Sequence, residues 1–179
     1  MADFIKSYEK TSKFEGGYAN HKNDKGGETY KGIARKMHPN WVGWKIVDRY
    51  KTSSLTFAQL DKVLKGNGQI QEMVELFYRA NFWDKIMGDS ISKQEIADNI
   101  YDFAVNSGVS RAVKYAQRVV KTEEDGIIGI KTIRAINSKE DNFIDEYKSS
   151  RLEFFKRIVI NNPSQNVFMK GWTSRVENV

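Results

Sequence analysis

Apolar side chains recur at intervals of three and four along most of this chain, and that spacing commits it to packed helices. Ile70, Met73, Val74, Phe77, Tyr78 and Phe82 form one such stripe, the pattern of a helix that buries one face. The same period runs through Ile96, Ile100, Phe103 and Ala104, behind a capping-box pair of Ser92 and Glu95. It returns in Val113, Ala116 and Val120 after a Ser110 cap, and in a brief helix from Thr132 to Ile136. A long helix follows from Phe143 to Ile160 and stops near Asn161-Asn162-Pro163, and a last short one carries Val167, Phe168, Trp172 and Val176. Thr56 is placed to cap a helix running to Lys65, closed by Gly66-Asn67-Gly68.

The amino-terminal part departs from this rule after one helix. Phe4, Ile5, Tyr8 and Phe14 share a face from Asp3 to Glu15, and Gly16-Gly17 ends the run. From Tyr18 to Lys31 the chain is polar and contains glycine, which suits a loop or small hairpin. A short helix from Ile33 to Met37 is expected before Pro39, and Trp41 to Ser54 is expected to be irregular. The fold class is therefore mainly α and two-lobed, with a loop or hairpin region after the first helix. The lobes are expected at 1–90 and 91–179. No linker composition separates them, so they are expected to pack as one compact unit.

Composition removes several kinds of chemistry. There is no cysteine, which excludes disulfides, thiolate metal sites and a cysteine nucleophile together. Only His21 and His38 occur, and both are taken as incidental, so a zinc site or a Ser-His-Asp triad is poorly supplied. No metal and no cofactor is expected. No stretch is long and apolar enough to span a bilayer, and the first residues lack a basic segment followed by an apolar one. The expectation is a monomer made in the cytoplasm, with no stable membrane insertion. The 29 basic and 23 acidic residues give a net charge of +6. The positive residues are spread out without a stripe or reading motif, so no nucleic-acid partner is expected.

One cluster carries chemistry. Glu15 falls at the end of the first helix, where the negative end of the dipole opposes ionisation. Phe14 and Tyr18 flank it, and Gly16 and Gly17 leave room beside it. A carboxyl kept protonated in this way is what a general acid for glycosidic bond cleavage needs. Asp24 follows, then Thr29 and Tyr30. Asp24 would act as general base on a water that Thr29 helps to hold, and Glu28 is a rival for the second carboxylate. Taken without context, a Glu at a helix end is more often a solvated surface residue, and an Asp before Lys-Gly-Gly is more often a turn former.

At these residues the chain resembles glycoside hydrolase family 108. The text Phe14-Glu-Gly-Gly-Tyr18, then Asp24-Lys-Gly-Gly27, Thr29 and Tyr30-Lys-Gly-Ile33, is similar to the signature of those lysozyme-like N-acetylmuramidases of phage and bacterial genomes. Phe77 to Lys85 is similar to the family's aromatic helix. Asp102 to Gly108, with Ala112, Gln117, Asp125-Gly126 and Lys131-Thr132, looks like the peptidoglycan-binding domain that accompanies it, and Lys170 to Arg175 like its closing motif. The resemblance implies a lysozyme-like helical fold and an acid role for Glu15. It implies peptidoglycan glycan strands as partner, cut between N-acetylmuramic acid and N-acetylglucosamine. Action at the cell wall, after holin-like or other release, would follow, as for an endolysin. The step from Asp24 to Thr29 is one residue shorter than in phage lysozymes, which makes Thr29 less secure than Glu15.

Around this centre Tyr18, Tyr30, Asn106 and Trp83 are candidates for holding sugar, with Trp41 and Trp44 as further stacking surfaces. Trp172 and at least one of the other three tryptophans are expected in the core, Gln117 against a helix neighbour or solvent, and Asp125-Gly126 and Gly129 in a turn. Two other functions stay open: a lytic transglycosylase, which needs no second carboxylate, and a silent wall-binding or secretion-assisting protein. The last fits the name secretion activator protein that some family members carry.

Overall fold

Helices dominate the computed structural model, which describes residues 1–20, 27–51, 54–139 and 141–179. They are α1 (Phe4–Ser12), α2 (Trp44–Tyr50), α3 (Phe57–Lys65), α4 (Gly68–Tyr78), α5 (Gln94–Ser107), α6 (Val109–Val119), α7 (Ile130–Ser138), α8 (Phe143–Asn161) and α9 (Met169–Asn178). Three two-residue strands, β1 (Tyr18–Ala19), β2 (Thr29–Tyr30) and β3 (Ile33–Ala34), form an antiparallel sheet in that order. The mainly α class with a small hairpin region after the first helix is what the periodicity predicts. By its contacts the chain divides into two compact units, Ser12–Tyr78 and Met1–Thr11 with Arg79–Val179.

In the Ser12–Tyr78 unit two expectations give way. Ile33 and Ala34 form strand β3 and not a helix, because Lys31 and Gly32 both take positive φ, 44° and 78°. Two such residues make the tight reversal that suits strand twist. Tyr30 is thereby paired with Ile33, and both are fully buried. The supposedly irregular Trp41–Ser54 stretch contains α2, which buries Trp44, Ile46 and Val47. The Trp44 indole donates to the His38 carbonyl at 2.8 Å, and the Arg35 guanidinium lies over its ring. The Thr56 cap forms as expected, with Gln59 completing the reciprocal box. In α4 the stripe Ile70, Val74 and Tyr78 is buried.

The other unit is built on α5. Residues Ile96 to Ala104 are buried without interruption, the mark of a helix covered all round. The buried Asp102 carboxylate receives Arg151 Nη2 at 2.5 Å and Arg175 Nε at 2.8 Å, which ties α8 and α9 to α5. Asp98 performs the same service for α1, accepting from Ser7 Oγ at 2.5 Å and Lys10 Nζ at 2.7 Å.

Helix α1 stops at Ser12, three residues short of expectation, and it buries Phe4, Ser7, Tyr8 and Thr11. Ile5 and Phe14 are 45% and 43% exposed, so the predicted apolar face was drawn one side off. The Ser92–Glu95 box does not form; α5 starts at Gln94, and the Ser92 amide donates to Asn137. Helix α6 starts at Val109 after Gly108, whose φ is 96°, and Val119 takes the inward place assigned to Val120. Arg79–Trp83 winds as a π turn, and that wider turn brings Trp83, not Phe82, into the core. Trp172 is half-buried and stacks on Phe155, while Val167 and Phe168 are exposed.

Candidate active site

Glu15 lies in the turn beyond α1, where its amide donates to the Ser12 carbonyl at 3.1 Å. Its side chain is half-buried. The β2–β3 reversal meets it there. A Cβ placed on Gly32 would stand 2.7 Å from Glu15 Oε2 and 2.6 Å from the Tyr78 hydroxyl. Glycine at this left-handed position therefore leaves room for both a carboxyl and a phenol against exposed backbone. The Tyr78 hydroxyl donates its one hydrogen to the Lys31 carbonyl at 2.7 Å. With that hydrogen spent, the phenol oxygen can act only as an acceptor towards any further group.

Gly17 has a different reason to lack a side chain. A Cβ there would collide with the Asp61 carboxylate, lying 2.7 Å from Oδ2. Asp61 reaches across from α3 to accept the Tyr18 amide at 2.8 Å and to pair with Lys65 at 2.6 Å. Gly17 thus makes room for a strut of the protein, not for a sugar. At Gly16 a Cβ meets nothing within 4 Å. The hairpin is fixed from its other side by Gln71, whose Nε2 donates to the Tyr30 hydroxyl at 2.9 Å and to Leu64 O at 2.7 Å. Lys31 Nζ donates to the same side chain at 2.6 Å, and burial, followed by the charge of Lys65, holds its pKa below the usual lysine value.

The other expected residues divide. Asp24 and His21 lie outside the described residues. Thr29 is half-buried in β2, with Oγ1 3.5 Å from the Ala19 carbonyl. Tyr18 is only 8% exposed, and its hydroxyl donates to Glu28 at 2.8 Å. Burial, and then the bond to Glu28, pushes its pKa up to about 12. Glu28 in turn is held by Arg35 at 2.7 Å and Lys51 at 3.1 Å, with its side chain 11% exposed. Both oxygens of this carboxylate are thus taken up by groups of the protein, and it anchors the hairpin.

Tyr30 and Trp83 are each 0% exposed, which corrects their assignment as sugar-holding residues: neither ring has a face to present. Trp83 Nε1 is spent on Asp89 at 2.8 Å. Asn106 is half-buried in the last turn of α5 and accepts from Ser107 Oγ. Trp44 is core, whereas Trp41 is half-buried and lines a pocket of about 340 Å³ with Arg35, Val42 and Lys45. Asp61 and Tyr78 were missed because their partners are distant in sequence; Tyr18 and Asp61 are 43 positions apart. No local spacing signals them. Among the described residues no group of three or more His, Cys, Asp or Glu side chains could hold a metal ion, and no helix is long and apolar enough to cross a membrane.

The sequence profile described as Glycosyl hydrolase 108 matches residues 8–108, and the one described as Predicted Peptidoglycan domain matches residues 111–177. The chain is similar to Brucella abortus SagA, whose solved structure shares 32% identity at a TM-score of 0.65. The match covers 97% of this chain and 89% of that one. No curated protein matches. Glu15, Gly32, Tyr78 and Asp61 all fall within the first matched segment, and the second runs from within α6 to within α9.

Proposed function

The chain belongs to the Glycosyl hydrolase 108 family, and on that premise we propose that it hydrolyses peptidoglycan glycan between N-acetylmuramic acid and N-acetylglucosamine, with Glu15 as general acid. The observation that carries this reading is that Glu15 Oε2 and the Tyr78 hydroxyl both lie against the bare Gly32 backbone, 2.7 and 2.6 Å from where its Cβ would stand. The phenol's hydrogen is committed to Lys31 O, so towards a carboxyl its lone pairs favour the form that still holds its proton. Glu15 gives that proton to the glycosidic oxygen as the bond to the anomeric carbon breaks. Asp24 takes a proton from a water held by Thr29, and the water oxygen bonds to the anomeric carbon. The match of 111–177 to a peptidoglycan domain supports the same polymer as partner.

The engagement of Glu28 by two cations favours one other route, since it halves the choice of second carboxylate. In a lytic transglycosylase the muramic acid hydroxyl replaces water and only Glu15 is required. Mass spectrometry of fragments released from purified peptidoglycan tests the proposal. Hydrolysis leaves reducing muramic ends, whereas anhydro-muramic ends would establish the second route. Pelleting with the wall and no release of soluble sugar would reduce the chain to a binding protein.

A further inference from the structure

Helix α6 carries Arg111, Lys114 and Arg118 at spacings of three and four, which places them on one face. They line a cavity of about 390 Å³ together with Ser107, Ser110 and Tyr115. The three cations are not equivalent. Arg118 is committed to Glu124 by a two-pronged contact, Nε to Oε1 at 3.0 Å and Nη2 to Oε2 at 2.6 Å. Asp125, the next acidic residue, directs Oδ1 to Gln117 Nε2 and the Ile127 amide, at 2.7 and 2.8 Å. Among the described residues, Arg111 and Lys114 have no ion-pair partner. Among these residues Arg111 therefore has no acidic neighbour, and Lys114 feels Glu124 and Asp125 only through their charge, without a direct contact.

Both are held in place. The Arg111 guanidinium lies 4.6 Å from the Phe154 ring centroid and spends one N–H on the Ser107 carbonyl at 2.7 Å. Its remaining N–H groups keep the planar fork that matches a carboxylate. The Lys114 stem lies against the Gly126 turn, where a Cβ would stand 3.0 Å from Cε. Gly108 supplies no side-chain cap to α6, so the first-turn amides add to the positive field at the rim.

We propose that this cavity binds the anionic peptide stem of peptidoglycan, with Arg111 and Lys114 each taking a carboxylate. Two fixed cations beside hydroxyls and an aromatic ring fit a short peptide bearing two or more carboxylates better than they fit a neutral sugar. The inference rests on peptidoglycan being the partner, and it assigns the peptide to this cavity while leaving the glycan to Glu15.

The test is calorimetric titration of the full chain with the free tetrapeptide L-Ala-γ-D-Glu-meso-diaminopimelyl-D-Ala, and with the same peptide after conversion of its carboxylates to carboxamides. The acid form is expected to bind at least tenfold tighter. Arg111→Gln with Lys114→Gln should abolish that preference, and Lys114→Gln alone, at an exposed position, should reduce it if the pair fails to fold. Removing two exposed charges elsewhere, Lys6→Gln with Lys156→Gln, should leave it intact. Equal binding of both peptide forms, a preference that survives Lys114→Gln unchanged, or tighter binding of glycerol phosphate than of the peptide would overturn the assignment. The readout is peptide binding, so its failure leaves glycan cleavage by Glu15 untouched, and loss of that activity says nothing about this cavity.

Discussion

Two adjacent glycines should respond in opposite ways to the same added methyl group. Gly17→Ala drives a Cβ into the Asp61 carboxylate, which must leave the Tyr18 amide it accepts at 2.8 Å. A hydrogen bond to a charged group contributes about 1.5–3 kcal/mol. Asp61 is 20% exposed on its side chain, which draws the figure to the lower half of that range. The Lys65 pair adds about 0.3–0.5 kcal/mol. Against this, alanine restricts the unfolded chain and returns about 0.4–1 kcal/mol. The net cost is about 1–2 kcal/mol. At Gly16 the methyl meets open space, leaving only the favourable contribution of about 0.4–1 kcal/mol. The two variants should therefore differ by about 2 kcal/mol, or about 1 M in urea midpoint at a slope of about 2 kcal/mol/M. Urea unfolding followed by circular dichroism measures it. Equal midpoints, or a weaker Gly16→Ala protein, would refute the assignment of Gly17 to Asp61.

Gly32→Ala should cost about 1–2 kcal/mol from the left-handed backbone alone and displace Glu15 and Tyr78 from the backbone they lie against, so that kcat on purified peptidoglycan falls at least tenfold; an unchanged kcat would dissociate Gly32 from the site. Tyr18 has a folded pKa of about 12 against an ordinary 10.0, so its neutral phenol stabilises the fold fully below pH 10 and loses that contribution as pH rises through 12. Stability should fall over this window less steeply in Tyr18→Phe, and parallel curves for the two proteins would contradict the account. Asp102→Asn strips the buried partner of Arg151 and Arg175 and should cost about 3–5 kcal/mol; a loss under about 1 kcal/mol would mean that the network is not what fastens α8 and α9 to α5.

What was legible in the sequence is what short-range periodicity encodes. The α3 cap, the α4 stripe, the apolar face of α5 and the hairpin after α1 all follow from neighbours within a few positions; the burial of Asp98, Asn99 and Asp102 on the same helix does not. The α2 helix was hidden because its buried face is only Trp44, Ile46 and Val47, too brief to show a period. Strand β3 was hidden because nothing in Lys31 announces a positive φ. At the candidate site, Glu15 and the glycines around it were visible, but the reasons for the glycines were not. Gly17 faces Asp61, and Gly32 faces Glu15 and Tyr78, contacts that only the folded chain brings together. Aromatic residues misled for a related reason: Tyr30 and Trp83 are as suited to a core as to a sugar face, and the core claimed both.

Glu15→Gln keeps the shape of the side chain and removes the proton that the glycosidic oxygen must receive. Release of soluble sugar from purified peptidoglycan, measured beside a thermal melt, puts the acid role to its most direct trial. That release should fall at least a hundredfold, in keeping with the share of a general acid, at an unaltered melting temperature. Release at the unmodified rate from a folded Glu15→Gln protein would contradict the acid role.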